Sequence, residues 1–117
     1  MGSPVMQWQI LSKNPEQTAH FYSTLFGWQV SADNPMGYRQ VSTGAGKGIE
    51  GGIWPAPPEA PNFVQLFMDV DDLDACVERA VGMGARVLIP GQTLPEGDRL
   101  AILLDPEGMS FGLHQPA

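Results

Sequence analysis

The stretch Asn14–Trp28, NPEQTAHFYSTLFGW, predicts a helix whose two ends are both marked by the sequence. Asn14 is a favoured N-cap residue, and Pro15 follows at the first helical position, where a missing N–H costs nothing. Gly27 is expected to end the helix, because glycine readily takes the left-handed conformation found at helix C-termini. Three apolar residues at helical spacing predict a stripe that packs on a sheet. They are Phe21, Tyr22 and Leu25.

Four strands are predicted around this helix, one before it and three after it. Residues 5–11 alternate with a period of two, so Met6, Trp8 and Ile10 face the helix while Gln7 and Gln9 face away from it. The three following strands are predicted at residues 28–30, 38–43 and 49–54. A glycine-rich loop at residues 44–48 connects the last two of them.

The same order of elements restarts after a proline-rich linker at residues 55–61. A strand is predicted at residues 63–70, followed by a helix that Asp72 caps and Gly84 ends. Three more strands are predicted at residues 87–89, 100–104 and 109–114. The chain is therefore divided into two modules, at about residues 4–54 and 62–115.

The two modules align with few gaps. Asn14 matches Asp72, Gly27 matches Gly84, and Gly52-Ile53 matches Gly112-Leu113. A repeat of one strand, one helix and three strands predicts an α+β fold of two βαβββ modules. We expect a concave mixed or antiparallel sheet, with the helices on its outer face, in a single domain over residues 1–117. The sequence leaves open whether the modules pair within one chain or swap between two chains.

Composition limits the partners of the chain. Its formal net charge is −7, with 6 Lys and Arg against 13 Asp and Glu, which argues against nucleic acid and against anionic membranes. The single cysteine, Cys76, excludes an internal disulfide and is compatible with a reducing cytoplasm.

Two motifs carry a resemblance to a known superfamily. Asn14-Pro-Glu16 followed by Phe21-Tyr-Ser-Thr-Leu-Phe-Gly-Trp28 resembles the opening helix of vicinal-oxygen-chelate proteins, the superfamily of glyoxalases, bleomycin-resistance proteins and extradiol dioxygenases. Asp105-Pro-Glu-Gly108 followed by Phe111-Gly-Leu113 resembles their closing turn and last strand. The resemblance implies a small-molecule groove on the concave face and a homodimer.

The resemblance also implies where a metal would bind. In metal-binding members the ligands lie on the first and last strands of each half, which here correspond to Gln7, Gly52, Gln65 and Gly112. Glutamine serves as a ligand in some glyoxalases, but glycine has no side chain that could coordinate a cation. We therefore expect neither a catalytic metal nor a cofactor.

Polar and aromatic residues on the concave face are the candidate binding residues. They are Gln7, Gln9, Glu50, Trp54, Phe63, Gln65, Phe67 and His114. Aromatic walls with a few polar groups are typical of small-molecule pockets. Most of these residues also have a purely structural interpretation: Gln7 and Gln65 could bond each other, Glu50 and His114 could face water, Trp54 could pack under the linker, and Phe63 and Phe67 could belong to the core.

Three functions fit these residues. The leading hypothesis is a glyoxalase/bleomycin-resistance-like protein that binds a small molecule without a catalytic metal. The second is a lyase or isomerase of the same superfamily in which Glu50 acts as general base. The third is a non-enzymatic interaction scaffold. The sequence does not decide whether the protein is an enzyme.

Overall fold

A computed structural model describes residues 2–31 and 38–117 of the chain. The described residues form two helices and eight strands, in two compact units. The elements are β1 (Val5–Ser12), α1 (Pro15–Phe26), β2 (Gln29–Val30), β3 (Arg39–Ser42), β4 (Gly51–Pro55), β5 (Phe63–Asp69), α2 (Leu73–Gly82), β6 (Arg86–Thr93), β7 (Arg99–Leu104) and β8 (Ser110–Gln115). The predicted α+β fold of two βαβββ modules is confirmed.

The N-terminal unit comprises Gln7–Gln65. Its strands lie in the order β2-β3-β4-β1, with β1 and β4 parallel and the other neighbours antiparallel. Val41 and Ile53 of the sheet pack with Ala19 of α1, and Trp8 and Ile10 join this core. Trp8 and Ile10 therefore face the helix, as the alternation predicts, whereas Met6, which was predicted to face it as well, is 50% exposed and lies outside this unit.

The C-terminal unit comprises residues 2–6 and 66–117. It repeats the arrangement with the order β5-β8-β7-β6, in which β5 and β8 are parallel. Its core forms around Leu73 of α2, Ala101 and Leu103 of β7, and Leu113 of β8. In both units, one sheet face packs on a helix and the residues of opposite parity lie on the other face.

The ends of α1 follow the sequence signals, but its apolar stripe does not. Asn14 accepts a hydrogen bond from the Gln17 backbone N–H, and Gly27 takes a left-handed conformation with φ 72°. Of the predicted stripe, Tyr22 is half-buried, whereas Phe21 is 56% and Leu25 59% exposed. The prediction that this stripe packs on the sheet is wrong for Phe21 and Leu25, because Ala19 is the residue that α1 buries.

The predicted and observed strand boundaries differ most where loops join the sheet. β4 begins at Gly51, so Glu50 precedes the strand, whereas the prediction included it. Pro55, predicted as the first linker residue, ends β4. β6 is longer than expected, because it continues from Arg86 to Thr93 through irregular pairing with β7. Neither α1 nor α2 has the length and apolar composition needed to cross a bilayer.

Replacing Asn14 with Ala is expected to lower the free energy of unfolding by about 1 kcal/mol, because the N-cap bond to Gln17 is lost. Asn14→Ser is the matched control, since serine also caps helices and should retain most of the stability. Urea denaturation followed by circular dichroism measures both variants. Equal losses in the two variants would contradict the capping role.

Candidate functional site

The face of the N-terminal sheet opposite α1 carries Gln9, Gly52 and Trp54. Strand pairing places Gln9 beside Gly52 and Leu11 beside Trp54. Because Ile53 packs towards α1, its neighbours Gly52 and Trp54 lie on the other face. The structure therefore brings together two of the predicted binding residues, Gln9 and Trp54.

Gly52 is covered by an aromatic ring. A Cβ atom added at this position would collide with the ring and hydroxyl of Tyr38. Tyr38 in turn lies against Trp54, with ring centroids 4.4 Å apart and an interplanar angle of 32°. Burial raises the pKa of the Tyr38 phenol, so this ring carries no charge at neutral pH.

Gly112 has the same kind of cover in the C-terminal unit. Gly112 pairs with Phe67 across β5 and β8, and a Cβ atom at Gly112 would lie 2.5 Å from the Phe67 ring. Phe67 is 2% exposed. The Phe67 ring can therefore lie close to the sheet because residue 112 has no side chain.

These two glycines decide whether the implied metal fits the chain. At Gly112, the place of the usual last-strand ligand is filled by the Phe67 ring, which has no donor atom, and at Gly52 it is filled by the Tyr38 ring, which carries one neutral hydroxyl. Within residues 2–31 and 38–117, no group of three or more His, Cys, Asp and Glu side chains is placed to hold a metal ion. The residues present do not fit the metal centre of the superfamily.

His114 lies between two carboxylates in the C-terminal unit. Its Nδ1 is 2.9 Å from Asp69 Oδ1, and its Nε2 is 2.8 Å from Asp98 Oδ2. Asp69 pairs with His114 in the register of β5 and β8. An imidazole can donate from both nitrogens only when it is protonated, so this geometry favours the imidazolium form.

The electrostatics of the cluster agree with its geometry. Burial lowers the pKa of His114, but the hydrogen bonds to Asp98 and Asp69 outweigh it and the net shift is upward. The hydrogen bond from His114 is the main cause that lowers the pKa of Asp98. A second ion pair, between Arg99 and Asp74 at 2.9 Å, lies on the surface of the same unit.

The remaining predicted residues lie in different surroundings. Gln7 is half-buried on the same face of β1 as Gln9. Gln65 is 5% exposed and interacts with another group of the protein. Phe63 lines a groove of about 250 Å³ beside α1, together with Tyr22 and Val64, and this groove includes neither Gln9 nor Trp54.

Glu50 is exposed and closes a turn. Its Oε2 accepts a hydrogen bond of 2.8 Å from the Thr43 backbone N–H, across the hairpin between β3 and β4. The structure therefore does not enclose Glu50 between aromatic rings, and the role of general base stays a prediction.

Sequence reasoning missed Tyr38, Asp69 and Asp98 as members of these clusters. Tyr38 could have been found by parity, since it lies two residues before Gln40, the strand partner of Gly52. Asp69 and Asp98 meet His114 only through the register of β5 with β8 and through the β6–β7 hairpin, neither of which a local pattern encodes.

Comparison with known proteins decides the family. The profile of the glyoxalase-like domain matches residues 8–114. This chain belongs to the glyoxalase-like domain family. It is also 32% identical over 123 residues to proteins named "Putative glyoxylase CFP32" of Mycobacterium bovis and Mycobacterium tuberculosis. The match covers 97% of this chain but 46% of those relatives, so the chain spans about half of their length.

Solved structures show the same glyoxalase-like fold at low sequence identity. A methylmalonyl-CoA epimerase of Streptomyces coelicolor, solved with 2-nitronate-propionyl-CoA, has a TM-score of 0.65 at 19% identity and covers 98% of each chain. A hypothetical protein of Bacillus halodurans has a TM-score of 0.68 at 12% identity, covering 100% of this chain and 96% of that one. The resemblance to the vicinal-oxygen-chelate superfamily is confirmed at the level of fold and family.

In this glyoxalase-like domain, Gly112→Ala is expected to lower the free energy of unfolding by about 1–3 kcal/mol, because the new methyl group overlaps the Phe67 ring. Gly82→Ala is the matched control. Nothing lies within 4 Å of a Cβ at Gly82, so the change should be neutral or stabilising there. Chemical denaturation of both variants measures the difference, and a Gly112→Ala protein as stable as the control would contradict the ring contact.

The His114 cluster predicts a pH dependence of stability. Because the folded pKa of His114 is raised, its contribution is complete below the unfolded value of about 6.5 and is lost as the pH rises through the folded pKa. Because the folded pKa of Asp98 is lowered, its contribution is present above its ordinary value and is lost as the pH falls through the lowered pKa. The cluster therefore stabilises the unit most between those two limits.

His114→Gln is expected to remove the fall in the free energy of unfolding that occurs as the pH rises above about 6.5, which urea titrations at several pH values measure. His20→Gln is the control, since His20 is exposed on α1. If the fall instead persists in His114→Gln and disappears in His20→Gln, the pH dependence comes from His20 and the role of the His114 cluster is contradicted.

Proposed function

We propose that this glyoxalase-like protein binds a small molecule on the sheet face opposite its helices, without a catalytic metal. The packing of an aromatic ring on glycine at residues 52 and 112 carries the proposal. At Gly112 it replaces a ligand carboxylate by the buried Phe67 ring, which offers no ligand to a cation, and at Gly52 by the half-buried Tyr38 ring, whose flat surface is available to organic molecules.

Polar groups beside these rings support binding. Gln9 and Trp54 lie next to the Tyr38–Gly52 contact, and His114 lies two residues from Gly112 on the same strand face. A few polar groups among aromatic walls orient a bound molecule. The epimerase of the same fold was solved with a CoA ester, which supports the use of this fold for small molecules.

Two further features belong to the proposal. The homodimer is supported by the apolar surface of α1, where Phe21, Leu25 and Phe26 are 56%, 59% and 58% exposed. Such a surface is typical of association sites. A cytoplasmic location is supported by Cys76, which is a free thiol.

The structure offers less support for the enzymatic alternative. A general base must reach the proton that it removes, whereas the Glu50 carboxylate is hydrogen-bonded to the Thr43 backbone at the edge of a hairpin. The scaffold alternative gives no reason for amides and an indole N–H to lie on a largely buried sheet face.

Thermal unfolding against a panel of aromatic and carbonyl compounds tests the proposal. We expect at least one compound to raise the melting temperature, since a ligand at about 100 times its Kd stabilises the folded state by about 2.7 kcal/mol. The rise should be unchanged by EDTA and by added nickel, zinc, manganese or iron(II). A rise that EDTA abolishes, or one tightly held ion per chain by mass spectrometry, would overturn the metal-free function.

A further inference from the structure

The N-terminal unit has a groove on the side of its sheet that packs on α1. The groove has a volume of about 250 Å³ and lies where α1 and β1 meet the end of the linker and the start of β5. Its lining residues are Ile10, Leu11, Ser12, Thr18, Tyr22, Asn62, Phe63 and Val64. Neither Gln9 nor Trp54 lines it, so the groove is separate from the sheet face on which binding is proposed above.

Part of the lining is apolar surface that the protein leaves in contact with water. Val64 is 62% exposed, and Ile10, Tyr22 and Phe63 are half-buried. The Tyr22 ring is held by stacking on Trp28, with ring centroids 5.4 Å apart. An apolar molecule that covers these side chains removes their surface from water, which favours binding.

The polar lining residues offer hydrogen-bond donors. Ser12 Oγ is 2.6 Å from Thr18 Oγ1 and accepts the Asn14 backbone N–H at 3.0 Å. Two hydroxyls carry two hydrogens, and one suffices for the bond between them, so the other can be donated to a molecule in the groove. Asn62 Oδ1 accepts the Lys13 backbone N–H at 2.8 Å, which leaves the Asn62 NH₂ group as the part of this carboxamide that can donate to a ligand.

Lys13 holds Asn62 and the linker before it in place. Besides the backbone bond to Asn62, the Lys13 ammonium group donates to the carbonyl oxygens of Pro57 and Pro58. One residue therefore fixes both the middle and the end of the linker. Because the carboxamide is already positioned at the groove, less conformational freedom is lost when a ligand binds.

We infer that this groove is a second binding site, for a neutral aliphatic molecule that ends in a carbonyl group. The volume admits a ligand of about eight non-hydrogen atoms, since one water-sized group takes about 30 Å³. An alkyl chain matches the apolar lining, and a carbonyl oxygen accepts from the Asn62 NH₂ and the hydroxyl pair. None of the lining residues is charged, so a carboxylate would enter without a counter-ion, and the net charge of −7 also disfavours an anion.

The test titrates the intact labelled protein with 2-heptanone, a ketone of this size, and with heptanoate as its charged counterpart. We expect 2-heptanone to bind with a Kd of about 1 mM, as is usual for so small a ligand. The Asn62 NH₂ resonances should shift downfield, and the Ile10 and Val64 methyl resonances should shift with them in a saturable manner. The Ile53 methyl groups are the internal control, since Ile53 is 0% exposed. Heptanoate should bind at least tenfold more weakly.

Asn62→Asp tests the donor. It is expected to weaken 2-heptanone binding about fivefold, because the new carboxylate still accepts the Lys13 N–H but has no hydrogen to donate. Asn14→Asp is the matched control, since it adds the same charge and keeps a helix cap, while residue 14 does not line the groove. Its Kd should equal that of the wild type.

Val64→Trp tests the location by filling the groove, and it is expected to abolish 2-heptanone binding. Val87→Trp is the control, since Val87 is also an exposed strand valine but lies in the C-terminal unit. Because the wild-type titration needs no variant, a variant that fails to fold does not remove the test.

The outcomes separate this inference from the proposed function. If 2-heptanone leaves the Asn62 and Ile10 resonances in place, or binds Val64→Trp as well as the wild type, the groove is not its site. Tighter binding of heptanoate overturns the neutral class. The proposed function depends instead on compounds that shift the Trp54 indole resonance on the opposite sheet face, so either site can fail while the other stands.

Discussion

The close contact between an aromatic ring and a glycine on an inner strand is the constraint on which the candidate site depends. Parallel pairing places Gly52 beside Gln9 and Gly112 beside Phe67. A ring can lie flat on the sheet only where the strand beneath it has no side chain. The two glycines therefore fix the positions of the Tyr38 and Phe67 rings, beside which the polar groups of each unit lie.

The sequence predicted the parts of the fold that depend on local signals. Helix caps at Asn14 and Asp72, the glycines after both helices and the period of two along β1 each record a backbone requirement of a few residues. The helical spacing of Phe21 and Leu25 led to a wrong prediction of their burial. Spacing shows that two residues share a helix face, but it does not show whether that face packs on the sheet. In the described structure, Ala19 faces the sheet and these larger residues face outward.

The sheet face of each candidate site residue was predictable from the alternation along its strand. The partners that a residue meets were not, because they depend on the register between strands. Gln9 and Trp54 could be assigned to one face from alternation alone, and the structure brings them together. His114 could be assigned to a face, but its two aspartates come from β5 and from the residue that precedes β7. Only the pairing of β8 with β5, together with the path of the β6–β7 hairpin, makes a charged cluster from three residues that are distant in sequence.

The two units use their polar groups in opposite ways, although they share one repeat. In the C-terminal unit, the polar groups beside the covered glycine are matched with each other, since both nitrogens of His114 meet a carboxylate. Such a cluster is satisfied and stabilises the sheet. In the N-terminal unit, the buried Trp54 N–H stays unmatched at a cost to folding. Because a bound molecule that supplied the missing acceptor would recover this cost, the N-terminal unit is the better candidate for recognition, and the C-terminal unit carries the pH-sensitive packing.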